Sequence, residues 1–476
     1  MNSDIEEKLK LLLEKQCGQK LLRLEPLPAH GSERKYFRLY TSGQTYIGAH
    51  NRDKAENAAF LSFSRHFHKY NLPVPDIYAE DLRQDIYLQQ DLGDLTLFEY
   101  LSSVRSEEGF SNRIISIYEK VLEILPEFQI TAARDLDYTF CYPRQSFDKQ
   151  SMMWDLNYFK YYFLKLAQIP FNEQMLEDDF QQFSDFLLSA ERDYFLYRDF
   201  QSRNIMLLQE KPYFIDYQGG RRGALQYDIA SLLYDAKADI PVQIRGHLLE
   251  RYIEILSRYM RIDRKTFSSY YYGYVFIRIM QALGAYGFRG FYERKTQFLQ
   301  SVPYAIANLE YLLQNVKLPL SLPALSDAWN KLVQSAQLRQ LSDVQAHLKV
   351  RIQSFSYKRG IPWDEKGHGG GFVMDCRALP NPGKYAEYSD LTGNDEKVIE
   401  YLKNKNEVRV FFDNTCKLID QTVINYQQRN FTDLLVAFGC TGGQHRSVYC
   451  ANELARYLKT KYGIEVEVRH LELESK

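Results

Sequence analysis

Two aspartates and one asparagine, spaced along a single stretch of the sequence, could together transfer a phosphoryl group. Asp199 and Asn204 lie in the segment 197–204, and Asp216 follows two short apolar runs. The Asp199 carboxylate could take the proton of an acceptor hydroxyl, while Asn204 and Asp216 could hold Mg²⁺ against the phosphates of ATP. The alternative is that all three are ordinary turn residues, since Asp and Asn favour turns.

The residues between these side chains predict a β-hairpin. Residues 205–208 and 213–215 are apolar and have the pattern of two strands, with a turn at 211–212. Because the arms of a hairpin lie side by side, this arrangement would bring both expected metal ligands to one cleft. Further along, Asp228 precedes an apolar segment, where it could cap a helix or brace the catalytic loop.

The composition indicates a folded protein of several domains. A chain of 476 residues is too long for one ordinary core, so about two or three domains are expected. The 60 basic and 61 acidic residues give a net charge of -1, which disfavours nucleic-acid binding through overall basicity. The six cysteines form no Cys-x-x-Cys pair, the N-terminus is polar, and no apolar run is long enough for a membrane span. A soluble, cytoplasmic protein is therefore expected.

The first part of the sequence has the pattern of a two-lobed kinase domain. Charged and apolar residues alternate at 32–40 and 44–49, as in a hairpin, and a further strand is expected at 85–90. Beyond that strand the pattern becomes mostly helical. We therefore expect an α+β, protein kinase-like domain with an N-lobe at 1–93 and a helical C-lobe at 94–315.

The segment 317–323 contains two prolines and interrupts the helical pattern, so it marks a domain boundary. A smaller domain follows it. Residues 316–348 are expected to form a linker with a connecting helix at 327–348. From 349 to 476 strands and helices alternate, which predicts an α/β domain with a largely parallel sheet. The expected strands are 350–352, 371–374, 408–412 and 433–438, and the expected helices are 395–404, 416–428 and 447–462.

A second group of reactive residues lies where the strand at 433–438 runs into a helix. A Gly-rich turn at 439–447 points several N–H groups into one concavity and forms an anion site. Cys440 and Arg446 also have the Cys-x5-Arg spacing of phosphatases, in which a thiolate attacks a phosphate. Three interpretations stay open: a structural turn, a site that binds phosphate or a phosphosugar, and an active phosphatase.

Two further polar clusters, at 354–360 and 375–382, follow the expected strands at 350–352 and 371–374. Ligands of open α/β sheets bind beyond the carboxyl ends of the strands, so these clusters are expected to join the same pocket. The residues expected to bind the anion are Lys358, Arg377, Cys440, Thr441, Gly442, Gly443, His445 and Arg446.

Residues 20 to about 315 resemble the aminoglycoside phosphotransferase superfamily, which includes choline kinase-like proteins. The resemblance implies ATP and Mg²⁺ as cofactors and a small-molecule hydroxyl as the acceptor. It also implies that Asp199 is the base and that Asn204 and Asp216 bind the metal. The motifs that carry it lie at 197–204, 215–216 and 227–230.

Within that superfamily the sequence is similar to the AmgK-like anomeric sugar kinases, which phosphorylate N-acetylmuramate and N-acetylglucosamine at the anomeric hydroxyl. Segments at 31–39, 90–94 and 281–287 carry this similarity. It implies an amino sugar as the acceptor and a role in cell wall recycling. The nucleotide-contacting residues that it implies are Ser32, Arg34, Lys35, Gln90 and Leu92.

Two positions depart from the pattern of the superfamily. Tyr197 stands where histidine is usual, two residues before the catalytic aspartate, and is expected to change the packing of the loop. The usual strand lysine for the α- and β-phosphates is also missing. Arg34, Lys35 or Lys54 is the expected substitute, with Glu56 as the acidic partner on the following helix.

Residues 350–476 resemble the C-terminal domain of the RapZ family, bacterial RNase adapters that sense glucosamine-6-phosphate and bind small RNAs. The segments 379–382, 391–393 and 439–449 carry this resemblance. It implies a phosphosugar ligand, and a kinase domain stands where the family has a P-loop ATPase domain. Because basic and acidic residues are near balance in this region, any RNA binding is expected to be weak.

Together these features predict a bifunctional protein: an ATP- and Mg²⁺-dependent small-molecule kinase joined to a phosphosugar-binding regulatory domain. One alternative is a regulatory adapter that binds RNA or a protein through a degenerate kinase scaffold. Another is a kinase for choline- or homoserine-type acceptors. A homo-oligomer is compatible with each of them.

Overall fold

The computed structural model describes residues 2–28, 34–343, 348–362, 371–428, 431 and 433–474. The chain divides into two units. The first comprises Met1–Phe288 with Ser301–Arg339, and the second comprises Arg289–Gln300 with Gln340–Lys476. Within the described ranges, no helix combines the length and the apolar character needed to cross a membrane.

An antiparallel sheet forms the N-terminal part of the first unit. Its elements are α1 (Asn2–Leu12), β1 (Arg23–Pro26), β2 (Lys35–Tyr40), β3 (Thr45–His50), α2 (Lys54–Lys69), β4 (Ile77–Asp81) and β5 (Ile86–Gln90). The strand order is β1-β2-β3-β5-β4, with every neighbouring pair antiparallel. The three predicted strands correspond to β2, β3 and β5. The short strands β1 and β4 were not predicted, because a proline in β1 and two acids in β4 interrupt the apolar alternation.

Helix α1 packs closely on one face of this sheet at Gly48. A Cβ atom at Gly48 would lie 2.8 Å from Leu9 Cδ2 and 2.9 Å from Leu39 Cδ1, so a larger side chain would displace these leucine side chains. On α2, Phe60 stacks on the ring of Tyr87 from β5, with ring centroids 5.3 Å apart. Apolar contacts with α1 and with α2 therefore hold the sheet.

The remainder of the first unit is mostly helical. Helix α9, the longest element there, packs so closely on α5 that a Cβ at Gly284 would lie 3.0 Å from Phe159 N. The elements are α3 (Leu97–Glu108), α4 (Asn112–Pro126), α5 (Lys149–Phe159), α6 (Glu173–Leu188), β6 (Tyr194–Leu196), β7 (Ile205–Leu208), β8 (Lys211–Phe214), β9 (Arg221–Gly223), α7 (Gln226–Leu233), α8 (Val242–Leu256), α9 (Arg264–Gly287), α10 (Val302–Asn315), α11 (Pro323–Gln334) and α12 (Ala336–Arg339).

Strands β7 and β8 form the predicted hairpin, but the turn lies two residues earlier than expected. Lys211 and Pro212 belong to β8 and pair with β7. The chain turns instead at Gln209 and Glu210, whose φ angles of 52° and 61° are both left-handed. Neither residue is the glycine or asparagine that usually marks such a turn, so the sequence carried no signal for its position. Strand β6 pairs separately with β9.

The second unit contains the predicted parallel sheet. Its strands follow the order β11-β12-β10-β13, and each neighbouring pair is parallel. The architecture is therefore a kinase-like α+β unit followed by an α/β domain, as predicted. The elements are β10 (Lys349–Ser356), β11 (Phe372–Asp375), α13 (Glu396–Lys403), α14 (Asn406–Gln428), β12 (Asp433–Cys440), α15 (Arg446–Tyr462), β13 (Glu465–His470) and α16 (Leu471–Glu474).

Two predicted elements are wrong. The apolar run at 408–412 is not a strand but part of α14, in which Val408 is buried while Val410 is exposed, as on a helix with one buried face. The connecting helix at 327–348 is also not continuous, because α11 ends at Gln334 and Ser335 adopts an extended conformation. Strand β13 was not predicted, since its alternating charges gave no long apolar run.

Candidate active site

The three candidate residues of the catalytic loop come together at one end of the β7–β8 hairpin. Asn204 Nδ2 donates to the backbone oxygen of Asp199 at 2.9 Å and to Asp216 Oδ2 at 3.3 Å. The backbone N–H of Ile215 donates to the backbone oxygen of Asn204 at 3.1 Å, which joins the two arms beside the cluster. The hairpin therefore places one carboxamide and two aspartates in a single group.

Asp216 is held in a strained conformation close to a second carboxylate. Its φ angle is 69°, in the left-handed region that is uncommon for residues other than glycine. Gln218 Nε2 fixes the side chain by donating to Asp216 Oδ1 at 2.6 Å. Burial and the charge of Asp199 raise the pKa of Asp216, while Gln218 and Arg34 oppose this shift. Two carboxylates in this arrangement favour a cation between them.

A buried carboxylate in α7 braces the catalytic loop. Asp228 accepts hydrogen bonds from the backbone N–H groups of Tyr197 at 2.9 Å and Arg198 at 3.1 Å, and from Gln129 Nε2 at 3.0 Å. Burial raises the pKa of Asp228 to about 7, although these donors favour its ionised form. The bracing interpretation of Asp228 is therefore correct. The capping interpretation is wrong, because Leu225 is the N-cap residue of α7.

Tyr197 and Arg198 link this loop to its surroundings. The buried Tyr197 hydroxyl donates to the backbone oxygen of Ile215 at 2.7 Å, so the residue in the usual histidine position ties the loop to the returning hairpin arm. Arg198 has a φ angle of 82° and makes a bidentate ion pair with Asp155, with N–O distances of 2.8 and 2.7 Å. These contacts fix the backbone that leads into the candidate base.

Arg34 supplies a positive charge where the strand lysine is missing. Its Nη2 atom lies 3.0 Å from Glu56 Oε2 on α2, and its side chain is only 3% exposed. Arg34 Nη1 also donates to the Tyr36 hydroxyl at 3.3 Å. Tyr36 is a direct cross-strand neighbour of Ala49 in β3, so the guanidinium lies beside the strand that usually carries the lysine. Arg34 Nε finds no hydrogen-bond acceptor in the described part of the chain.

The other residues expected near the nucleotide have different environments. Lys35 opens β2 and pairs in register with His50. Gln90 ends β5, and its backbone N–H donates to Asp76 O at 2.8 Å. Leu92 is buried in the segment that leaves the sheet. Ser32 lies outside the described residues.

An arginine holds the segment that follows β5. Arg38 Nε lies 2.8 Å from Asp91 Oδ2, and its Nη2 lies 2.8 Å from Asp94 Oδ1. This ion-pair network connects β2 to the start of the helical part. Lys54 is 69% exposed and lies 4.0 Å from Asp85. Of the three candidates, Arg34 alone is paired with Glu56 within the described residues.

In the second unit, the Gly-rich turn surrounds the thiol of Cys440. The Gly443 backbone N–H donates to Cys440 Sγ at 3.2 Å, and Ser447 Oγ lies 3.2 Å from the same sulfur. Gly443 has a left-handed φ angle of 68°, which turns its N–H inward. Burial alone would raise the pKa of Cys440, but the bonds from Ser447 and Gly443 and the charge of Arg446 lower it below its ordinary value.

Arg446 is buried beside this turn, and two of the five N–H bonds of its guanidinium are committed. Its Nη1 atom donates to the backbone oxygens of Arg377 at 2.8 Å and Leu379 at 3.0 Å. Its Nε atom has no hydrogen-bond partner among the described residues. A buried guanidinium N–H without an acceptor is costly, and an anionic ligand would satisfy it.

The clusters that follow the three predicted strands do meet at this edge of the sheet. Ser356 Oγ, at the end of β10, donates to Thr441 O at 2.8 Å, and Arg446 reaches the segment after β11. The remaining candidates are less directly placed. His445 Nε2 lies 3.0 Å from Tyr388 O, and the Arg377 guanidinium is paired with Asp375 at 2.7 Å. Three further candidates are exposed to solvent: Lys358, Thr441 and Gly442.

Three residues that support these sites have a weak signal or none in the sequence. Gln218 stands two positions after Asp216, which makes it a local partner, but many other roles fit a glutamine there. Ser447 follows Arg446 directly and is the second residue of α15. Asp155 lies 43 positions before Arg198, and only the tertiary fold brings this pair together.

Two family models match the chain, one for each part. The model described as a phosphotransferase enzyme family, APH, matches residues 23–262. The model described as the RapZ C-terminal domain matches residues 348–474. The first match covers half of the chain and includes every residue of the Asp199 cluster.

Curated relatives match a shorter stretch of the chain. A nucleotide-binding protein of Glaesserella parasuis serovar 5 (strain SH0165) is 40% identical over 140 residues, which are 29% of this chain and 47% of that protein. A nucleotide-binding protein of Saccharophagus degradans (strain 2-40 / ATCC 43961 / DSM 17024) is 40% identical over 129 residues, 27% of this chain and 42% of that protein. The chain thus spans less than half the length of these relatives.

Solved structures with a similar fold include small-molecule kinases. The choline kinase LicA from Streptococcus pneumoniae has 16% sequence identity and a TM-score of 0.40, covering 64% of this chain and 99% of that one. Spectinomycin phosphotransferase APH(9)-Ia, solved with ADP and spectinomycin, has 12% identity and a TM-score of 0.45, covering 68% and 98%. On the family match, the chain belongs to the APH phosphotransferase enzyme family, and its residues 348–474 are similar to the RapZ C-terminal domain.

Proposed function

We propose that the first unit transfers the γ-phosphate of ATP, with Mg²⁺, to a hydroxyl group of a small molecule. The observation that carries this proposal is the cluster of Asp199, Asn204 and Asp216 at one end of a hairpin. Asp199 accepts the proton of the acceptor hydroxyl as it attacks. The bracing of its loop by Asp228 and by the Arg198–Asp155 pair keeps this carboxylate in position.

The donor set fits a magnesium ion. Asn204 uses Nδ2 for its two hydrogen bonds, so Oδ1 is the atom that would bind the metal. Asp216 would supply a carboxylate oxygen. Within the described residues, no three His, Cys, Asp or Glu side chains form a metal-binding group, so the phosphates of the nucleotide would complete the coordination. When bound, the ion neutralises the charge that develops on the transferred group.

The nucleotide would lie between the β1–β5 sheet and the hairpin. Gln90 and Leu92, in and after β5, would contact the base through their backbone, and Arg34 would contact the phosphates. Glu56 orients Arg34 as an acidic partner usually orients the strand lysine. Arg34 Nε, which has no acceptor in the described part of the chain, is available for a phosphate oxygen.

Replacing Arg34 tests its role in nucleotide binding. Arg34→Ala is expected to raise the KM for ATP about 10- to 100-fold, because a charge-assisted hydrogen bond to phosphate is lost. Arg34→Lys should recover part of this loss by restoring the charge. Lys54→Ala, which removes an exposed lysine nearby, is the matched control and should leave KM unchanged. An unchanged KM in Arg34→Ala would show that the phosphates bind elsewhere.

The acceptor is proposed to be an N-acetylated amino sugar, phosphorylated at its anomeric hydroxyl. This proposal depends on the resemblance of 31–39, 90–94 and 281–287 to the AmgK-like branch. Transfer of labelled γ-phosphate from ATP should be measured with N-acetylmuramate, N-acetylglucosamine, choline and homoserine. Transfer to the amino sugars alone is expected, whereas transfer to choline or homoserine alone would replace the sugar proposal. Absence of transfer to every acceptor would favour the scaffold alternative.

The RapZ C-terminal domain is proposed to bind a phosphosugar at the turn around Cys440. Arg446→Gln is expected to weaken binding of glucosamine-6-phosphate about 10- to 100-fold, measured by calorimetry on the full chain. Arg456→Gln, on the exposed side of the same helix, is the matched control. Cys440→Ser should bind as wild type does. Release of phosphate from the sugar by wild type, lost in Cys440→Ser, would instead establish a phosphatase.

Several further properties stay proposals. We propose the division into an N-lobe at 1–93, a C-lobe at 94–315, a linker at 316–348 and a C-terminal domain at 349–476. Weak RNA binding by the C-terminal domain, a homo-oligomer and a place in cell wall recycling are proposals of the same standing. The RNA binding and the place in cell wall recycling follow from the resemblances described above, whereas the domain bounds follow from the sequence pattern.

A further inference from the structure

Three of the six cysteines lie together in the core of the second unit. Cys376, Cys440 and Cys450 carry free thiols, and each residue is at most 2% exposed. They come from three different elements: the residue after β11, the end of β12 and helix α15. The proposed phosphosugar site involves Cys440 alone, which leaves the other two thiols without a role in it.

Cys376 and Cys440 lie side by side where two neighbouring strands end. Asp375, the last residue of β11, pairs in parallel with Gly439 of β12, and the two cysteines directly follow this pair. Asp375 has an extended backbone, so Cys376 continues its strand by one residue. Neighbouring strands lie about 4.8 Å apart, and the Cα atoms of two residues joined by a disulfide lie about 4.4–6.8 Å apart. The backbone therefore places both cysteines at a distance that a disulfide can span.

Helix α15 contacts both of these thiols with one face. Ser447 Oγ lies 3.2 Å from Cys440 Sγ. Cys450, three residues further along the helix, has its thiol in hydrogen-bond contact with the thiol of Cys376. Residues three apart on a helix are neighbours on one face, with Cβ atoms about 5–6 Å apart. The helix contacts therefore place Cys376 and Cys440 close together independently of the strand pairing.

The two thiols differ in how readily they ionise. Burial raises the pKa of Cys440, but the hydrogen bonds from Ser447 and Gly443 and the charge of Arg446 bring it below its ordinary value. The contact with a neighbouring thiol, together with burial, raises the pKa of Cys376 well above its ordinary value. Peroxides oxidise the thiolate form of cysteine. Cys440 is therefore the thiol that reacts first, and Cys376 is placed to react with its product.

We propose that Cys440 is a peroxide-sensitive cysteine that forms a disulfide with Cys376 and thereby controls the anion site. Only 2% of Cys440 is exposed, so the oxidant has to be as small as hydrogen peroxide. The Gly-rich turn that surrounds the sulfur is the same one that would admit a phosphate.

The reaction consumes one peroxide and yields two water molecules. The Cys440 thiolate attacks one peroxide oxygen, an S–O bond forms as the O–O bond breaks, and the released hydroxide takes up a proton. The Cys376 thiol then attacks the sulfur of the resulting sulfenic acid, and its proton leaves with the hydroxyl group as water. Two electrons pass from the two sulfur atoms to the peroxide.

The disulfide would change the anion site directly. Bonded sulfur atoms lie about 2.05 Å apart, so Cys440 Sγ has to move towards Cys376. It then moves away from the Gly443 N–H, which donates to it at 3.2 Å in the reduced protein. Oxidation is therefore expected to weaken binding of glucosamine-6-phosphate about 10- to 100-fold. This consequence rests on the proposed phosphosugar function, whereas formation of the disulfide does not.

Mass spectrometry of the full chain tests the modification site. Reduced wild type treated with equimolar hydrogen peroxide is expected to lose the mass of two hydrogen atoms, and dithiothreitol should restore them. Peptide mapping should place the new bond between Cys376 and Cys440. A bond between Cys376 and Cys450, a bond to any other cysteine, or oxidation of Cys440 to sulfinic acid without a bond would overturn the proposal.

Variants assign the roles of the two thiols. Cys376→Ser should leave the sulfenic acid of Cys440 to be trapped by dimedone, while Cys440→Ser should form neither the disulfide nor the adduct. Cys416→Ser is the matched control, because Cys416 is also buried in the second unit and burial raises its pKa to about 12. It should form the disulfide as wild type does. Melting temperatures show that each variant is folded, and the mapped bond in wild type needs no variant.

Calorimetry with glucosamine-6-phosphate tests control of the anion site. Oxidised wild type should bind more weakly than reduced wild type, and Cys376→Ser should bind equally before and after peroxide. An unchanged affinity in disulfide-bonded wild type would overturn this control. Absence of binding by reduced wild type would instead overturn the proposed ligand, while the mapped bond still decides the modification site.

Discussion

Replacing Asp199 with asparagine is expected to lower kcat by about 10²- to 10⁴-fold, the usual contribution of a positioned general base. Asparagine keeps the size of the side chain but cannot take the acceptor proton. The hydrogen bond from Asn204 goes to the backbone oxygen of Asp199, so it survives the substitution and the metal ligands stay in place. The KM for ATP should therefore change little while the chemical step slows.

Steady-state transfer of labelled phosphate from ATP, at saturating acceptor, measures this effect. Asp193→Asn is the matched control, because Asp193 lies just before β6 and its side chain is 85% exposed. It should retain wild-type kcat. A wild-type kcat in Asp199→Asn would remove the base from this mechanism and leave positioning and the metal as the sources of catalysis.

Replacing Asp216 with asparagine should weaken binding of Mg·ATP by about 100-fold or more, since a metal ligand contributes several kcal/mol. Asparagine tolerates the left-handed φ of 69° at this position, so the backbone should keep its conformation. The loss should be largest with Mg²⁺ present and small for ATP alone, because the metal mediates the contact.

Calorimetric titration with Mg·ATP and with metal-free ATP separates the two contributions. Asp239→Asn provides the control, since Asp239 also has a left-handed φ, of 45°, but is exposed on the surface. A pure scaffold would bind Mg·ATP equally in wild type and Asp216→Asn. That result would favour the adapter alternative over the enzyme.

The catalytic hairpin was predictable because its information is local. Asn204 and Asp216 lie at the two ends of short apolar strands, and a hairpin brings such ends together whatever the rest of the fold does. The turn itself was misplaced, since Gln209 and Glu210 adopt left-handed conformations without glycine or asparagine. The bracing role of Asp228 depends on burial and on N–H groups in another segment, so the sequence left it undecided.

The choice of Arg34 as the proposed substitute for the strand lysine needed the tertiary structure. Arg34, Lys35 and Lys54 were equivalent in the sequence, and only the fold brings Arg34 to Glu56. In the second unit, the Gly-rich turn was predictable from its place between a strand and a helix. The orientation of Arg446 was not, because its Nη1 acceptors are backbone oxygens from a separate segment.

A crystal structure with Mg²⁺, a non-hydrolysable ATP analogue and an N-acetylated amino sugar tests the central claim most directly. The ion should be bound by Asp216 and by Asn204 Oδ1, and the acceptor hydroxyl should lie about 2.6–3.2 Å from an Asp199 carboxylate oxygen. A nucleotide bound away from this cluster, or a magnesium ion held without either Asp216 or Asn204, would contradict the account.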